Sequence, residues 1–128
     1  MNLLLDTVTI IRIALDESLL SAAAVDAYRD SSNSLFISVV SIWEILVKNK
    51  LGKLPLPVPL HELLEPIQAA TKLQVLPLKQ SAVYRVASLP DLHRDPFDRL
   101  LICQALDESL TILTPDVEIK GYPVAVIW

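Results

Sequence analysis

Four carboxylates in this chain stand where core packing alone would not place them. Asp6 ends the apolar run Leu3-Leu4-Leu5, and Glu44 interrupts Ile42-Trp43-Glu44-Ile45-Leu46-Val47. Asp98 lies in the first turn of a helix that continues Leu100-Leu101-Ile102, and Asp116 follows Leu110-Thr111-Ile112-Leu113-Thr114. A buried carboxylate is costly unless it is paired or holds a metal. Four of them converging would repel one another, and a divalent cation is the usual remedy. Hard cations such as Mg²⁺ or Mn²⁺ prefer oxygen ligands. The expected chemistry is therefore metal-assisted cleavage of a phosphodiester. With one cysteine, Cys103, and no paired histidines, zinc lacks its usual ligands.

Each acid also has a plainer reading. Asp6 before Thr7 can cap a helix. Glu44 can pair with Lys48 four residues on. Asp98, three residues after Asp95, imitates a capping box and suits a helix N-terminus. Asp116 can cap Val117-Glu118-Ile119-Lys120. Any one acid is a weak signal, and the set of four is stronger. Asp98 aligns with Ile102 and Ala105 on the apolar side of its helix, so Asp95 is the better cap. Among cations, Lys48, Arg94 and Arg99 are candidates for phosphate contact, with arginine offering a bidentate fork. His61 reads as solvated, His93 as a solvated loop histidine with contact to substrate as the alternative, and Cys103 as a buried thiol. Trp43, Trp128, Phe36 and Phe97 read as core.

The elements that must position these acids alternate. Short strand candidates are Asn2–Leu5, Leu35–Ser38, Gln74–Leu76, Thr111–Leu113 and Ala125–Ile127. Helical patterns fall at Val8–Ala14, Leu19–Arg29, Val40–Lys50, Leu60–Thr71, Gln80–Ser88 and Pro96–Asp107. Ser18 reads as the cap of the second helix. Asp95-Pro96 is an N-cap followed by proline at the first helical position. Leu54-Pro55-Leu56-Pro57-Val58-Pro59 cannot be helix interior. The alternation predicts an α/β fold, a three-layer α/β/α sandwich around a mostly parallel sheet of about five strands. Ligands of such sheets sit beyond the carboxyl ends of the strands, where Asp6 and Asp116 fall.

The length, 128 residues, suits one domain spanning 1–128. A composition 52% apolar and 20% charged is globular. Asp6 and Arg12 break the apolar start, which argues against a signal peptide. No apolar run approaches the roughly 18 residues of a membrane span. A soluble cytoplasmic protein is the expectation. The net charge of −4 is unusual for a nucleic-acid enzyme, but it vanishes once the four acids are set aside as metal ligands.

Leu3-Leu4-Leu5-Asp6-Thr7, Ser38-Val39-Val40-Ser41-Ile42-Trp43-Glu44-Ile45 and Lys48 with Leu51-Gly52-Lys53-Leu54-Pro55-Leu56 resemble the first half of PIN-domain ribonucleases. His93-Arg94-Asp95-Pro96-Phe97-Asp98-Arg99-Leu100-Leu101-Ile102 and Leu113-Thr114-Pro115-Asp116 resemble the second half, in the order of VapC-type toxins of toxin–antitoxin modules. The resemblance spans essentially the whole chain. It implies a four-acid metal site of Asp6, Glu44, Asp98 and Asp116, Mg²⁺- or Mn²⁺-dependent endonucleolytic cleavage of RNA, a small antitoxin partner and a homodimer. It also implies 5′-phosphate and 3′-hydroxyl product ends. Val8 stands where many relatives carry histidine, and Pro115 where relatives vary. Two rival functions remain open at this point. A phosphatase of the aspartyl-phosphate type wants a second acid where Val8 stands. A non-catalytic interaction module would not respond to Mg²⁺.

Overall fold

The computed structural model describes all 128 residues. Five strands form one sheet: β1 (Asn2–Leu5), β2 (Ser34–Ser38), β3 (Gln74–Leu76), β4 (Thr111–Leu113) and β5 (Val126–Ile127). Their order is β3-β2-β1-β4-β5, and every neighbouring pair is parallel. Between them run α1 (Thr7–Leu15), α2 (Ala22–Arg29), α3 (Val39–Lys50), α4 (Leu60–Thr71), α5 (Gln80–Arg85), α6 (Pro96–Glu108) and α7 (Val117–Lys120). This is the expected α/β/α architecture. No helix is long and apolar enough to cross a membrane.

The centre of the sheet explains the leucine run. Leu3, Leu4 and Leu5 are each 0% exposed, as a strand covered on both faces requires. Their side chains alternate between faces. Leu3 and Leu5 join Ile10, Ala24, Ile37, Ile45 and Leu64, so α1 to α4 cover one face. Leu4 joins Ile102, Cys103, Ile112 and Ile119, so α6 and α7 cover the other, with α5 packed on α6. Cys103 is a buried thiol, as expected.

The strand order reverses at β1. The chain builds outward through β2 and β3, then returns to β4 and β5 on the far side. The register pairs Leu5 with both Ile37 and Leu113. Asp6, Ser38 and Thr114, each the next residue along, therefore share one sheet edge at the switch point, where ligands of open α/β sheets bind.

Two expected helices are shorter than their patterns suggest. Glu17–Leu19 is a separate 3-10 turn, and Leu20 is extended. The second helix begins at Ala22, capped by Ser21, whose hydroxyl accepts from Ala24 N at 3.0 Å. Ser18 instead bonds Asp16. After Arg85 the fifth helix tightens to a 3-10 turn at Val86–Ser88. Trp43 also departs from expectation. The buried side of α3 is Val40, Ser41, Glu44 and Ile45, and Trp43 falls beside it, 59% exposed. It meets Phe97 edge-to-face at 5.1 Å.

Candidate functional site

Asp6 enters the site because β1 ends there and α1 begins. Its carboxylate caps α1, accepting from Thr9 N at 2.7 Å through Oδ1. Its other oxygen, Oδ2, accepts the hydroxyl of Thr114, at the end of β4. Thr114 Oγ1 also accepts from Asp116 N at 3.0 Å. Thr9 closes the corner by donating its hydroxyl to Leu113 O at 2.7 Å. Asp6 is only 3% exposed. Burial raises its carboxyl above the ordinary range, against the hydrogen bonds from Thr114 and Thr9, and the charge of Asp116 adds to the rise. The expected capping role of Asp6 uses only one of its oxygens.

Glu44 arrives from α3, whose first turn is fixed by Ser38, the last residue of β2. Ser38 Oγ accepts from Val40 N at 3.0 Å and donates to Gln104 of α6. Glu44 is 4% exposed. Thr7 donates its hydroxyl to Oε1 at 2.6 Å, and Lys48 Nζ holds Oε2. Burial lowers the Lys48 ammonium, but the bond and charge of Glu44 outweigh that, and Asp95 and Asp98 push in the same upward direction. Lys48 also lies over the Phe97 ring at 5.9 Å.

Asp98 comes from the first turn of α6. Asp95 is the cap, its Oδ1 accepting from Phe97 N at 2.9 Å and Asp98 N at 3.2 Å. That leaves the Asp98 side chain free of capping. Its carboxyl is pushed up to about 7, first by burial, then by the charges of Asp95 and Glu44, with Asp116 adding. A hydrogen bond between His93 Nε2 and Asp98 Oδ2, at 3.4 Å, opposes the rise. Asp116 caps α7, accepting from Glu118 N at 2.9 Å.

The acids therefore act on one another across the edge of the sheet. Asp98 feels Glu44 and Asp116, and Asp6 feels Asp116. No three acids or histidines close on a common point tightly enough to hold a metal ion as they stand. The donor set nevertheless fits a hard cation. It consists of carboxylates, and burial together with the neighbouring charges of Asp95, Glu44 and Asp116 disfavours the charged form of Asp98, a cost that a cation would relieve.

The cations divide. Arg94 is exposed and makes no ion pair. Arg99, expected to touch phosphate, is instead turned inward, its side chain 11% exposed. Its guanidinium donates to Pro90 O at 2.8 Å and Tyr122 Oη at 3.1 Å, and pairs with Asp91 at 3.0 Å. It holds the loop before α6. His93, expected to be solvated, has a side chain only 9% exposed, clasped between Tyr122 and Asp98. Sequence reasoning also passed over Thr7, Thr114 and Tyr122. The two threonines had a signal, since a buried acid needs donors and both stand beside one. Tyr122 had none, being 29 positions from the histidine it holds.

The family model of the PIN domain matches residues 3–124. The chain belongs to the PIN domain family. Solved structures agree on the fold. VapBC2 from Rickettsia felis, bound to a promoter DNA fragment, is 15% identical with a TM-score of 0.74, covering 99% of this chain and 98% of that one. DNA-bound VapBC from Salmonella typhimurium is 16% identical with a TM-score of 0.71, over 99% and 97%. A toxin–antitoxin complex from Klebsiella pneumoniae is 18% identical with a TM-score of 0.59, over 98% and 95%. No curated protein sequence matches. For this PIN domain the likeness to solved structures shows the architecture.

Proposed function

We propose that this PIN domain is a Mg²⁺- or Mn²⁺-dependent endoribonuclease, acting as the toxin of a toxin–antitoxin pair. The observation that carries the reading is the buried acid edge. Asp6 and Glu44 are almost fully buried, and Asp98 resists ionisation among them. Natural cores avoid such a concentration of like charge unless it serves a ligand. The structures described as VapBC and toxin–antitoxin complexes share this fold, which supports a small antitoxin as partner. A homodimer and a cytoplasmic setting belong to the same reading.

In this mechanism Asp6, Glu44 and Asp98 would hold the cation, and Asp116 would assist them. A bound divalent cation supplies charge for the phosphoryl oxygens and lowers the pKa of water. The chain's own groups do the rest. Thr7, Thr9 and Thr114 keep Asp6 and Glu44 in place without neutralising them. Lys48 offers positive charge beside the acids, where a phosphate would approach. Arg94, exposed and unpaired, is free to grip the RNA backbone. Arg99 has no such freedom and serves the loop.

Incubating the purified protein with mixed cellular RNA tests the proposal. Cleavage should appear with Mn²⁺, vanish with chelator, and fall to background in Asp6→Asn and Glu44→Gln. Cutting that survives chelation or either substitution rules the mechanism out. Release of inorganic phosphate from small esters without RNA cleavage would point to a phosphatase. No thermal shift with Mn²⁺ would leave an interaction module, since a ligand bound only by the folded state must stabilise it.

A further inference from the structure

The loop before α6 contains a hydrogen-bonded chain whose proton positions can be deduced by counting donors. Tyr122, only 3% exposed, lies at its centre. Its hydroxyl oxygen faces Arg99 Nη1 at 3.1 Å and the backbone N of His93 at 3.2 Å. Guanidinium and backbone N–H groups can only donate. Both therefore point their hydrogens at the tyrosine oxygen and occupy its two lone pairs. The tyrosine proton has one remaining direction, toward His93 Nδ1 at 2.8 Å. Nδ1 must then accept. The neutral imidazole carries its hydrogen on Nε2, which faces Asp98 Oδ2 at 3.4 Å.

The geometry points to Arg99, Tyr122 and His93 as a positioning chain that locks His93 as its Nε2–H tautomer and so aims one donor at the Asp98 carboxylate. The supporting geometry is tight. The imidazole and tyrosine rings meet edge-to-face at 5.3 Å, and Arg99 ties the same loop through Pro90 O and Leu89 O. His93 is thus held by its backbone and one ring nitrogen, leaving the other to serve the acid. The inference rests on the nuclease reading only in its consequence, that Asp98 is aimed for cation binding. The tautomer itself is a property of the metal-free protein.

Two measurements test it. The first is ¹⁵N NMR of the imidazole nitrogens in the metal-free protein, with the His93 signals assigned by their loss in His93→Gln. The expected result is a single Nε2–H tautomer in wild type, giving way to a mixture in Tyr122→Phe, which keeps the ring and loses the hydroxyl. An Nδ1–H form in wild type, or an unchanged tautomer in Tyr122→Phe, overturns the chain. The second is Mn²⁺ affinity by calorimetry. Partners behind a metal ligand are typically worth about 10–100-fold in affinity. His93→Leu should lose that much, while His93→Gln, whose amide can still donate, should stay close to wild type. Equal affinity in His93→Leu, or an equal loss in both variants, removes the positioning role. If wild type neither binds Mn²⁺ nor cuts RNA, the nuclease reading fails on its own account, and the NMR result still decides the tautomer.

Discussion

The two sides of the acid edge solve the same electrostatic problem differently. On the side of β1 and α3, Asp6 and Glu44 are almost fully buried, yet each oxygen has a partner: two threonine hydroxyls, a backbone N–H and the Lys48 ammonium. On the side of α6, Asp98 is less buried and worse served. It has one long contact to His93 and feels the charges of Asp95, Glu44 and Asp116. The first side gives every buried carboxylate oxygen a hydrogen-bond or ion-pair partner. The second leaves a carboxyl short of donors and raised to about 7 by burial and by the neighbouring acids. The lesson is that burial alone does not set the character of an acidic site. What matters is how many donors the fold delivers to each oxygen.

If the contrast is electrostatic and not a difference in packing, the helices behind the two sides should be equally tight. Ile45 of α3 and Ile102 of α6 are both 0% exposed. Ile45→Ala and Ile102→Ala should each cost about 2–5 kcal/mol in urea unfolding. A loss under about 1 kcal/mol at Ile102 would recast the α6 side as loose, and the comparison would break.

The pH dependence of stability sharpens the same contrast. In the folded, metal-free protein Asp98 keeps its proton up to about 7, whereas its ordinary value is 3.8. Between those values the folded state binds a proton that the unfolded chain has released. Stability therefore falls as pH rises through that window. Asp6, also raised by burial, adds to the same slope. Allowing for partial exposure, the Asp98 share is roughly 1–3 kcal/mol. Thermal melts in chelator from pH 4 to pH 7 should show the decline, and Asp98→Asn should flatten most of it. An unchanged slope in that variant would mean the strain lies on the β1 side instead.

Much of this arrangement was legible in the sequence because local rules governed it. The leucine run before Asp6 marks a strand covered on both faces, and strand–helix alternation leaves few topologies. Asp95-Pro96 announces the start of α6, and so frees Asp98 from capping. What was not legible depended on contacts between distant residues. Arg99 reads as a phosphate ligand until Tyr122 and the carbonyls of the preceding loop are seen to claim it. Trp43 reads as core because α3 is apolar on most sides, and only the sheet decides which side is covered. The start of α2 is ambiguous in sequence because Ser18 and Ser21 are both good caps, and the extended Leu20 between them has no sequence mark.

Lys48 is the single cation paired on the buried side, and its removal probes how far that side depends on it. Its own side chain is 37% exposed, so water can partly replace it. Lys48→Met should cost about 1–2 kcal/mol, well below the loss expected for a fully buried pair. The urea midpoint measures this. A neutral result would show that Thr7 and water suffice for Glu44, and would narrow the difference between the two sides.

The smallest expected effect on stability separates structure from function most cleanly. Asp95 and Asp116 are both N-caps and both contribute negative charge to the site. Asparagine caps a helix about as well as aspartate but carries no charge. Asp95→Asn and Asp116→Asn should therefore each shift stability by no more than about 0.5 kcal/mol. RNA cleavage should respond unequally. Asp116, whose charge reaches both Asp6 and Asp98, should be needed for full activity. Asp95 is committed to two backbone N–H groups through Oδ1, so its replacement should slow cleavage less. Equal loss in both variants would mean that total charge governs the site, not the placement of each acid. In that case the well-served and poorly served sides would be two parts of one electrostatic reservoir.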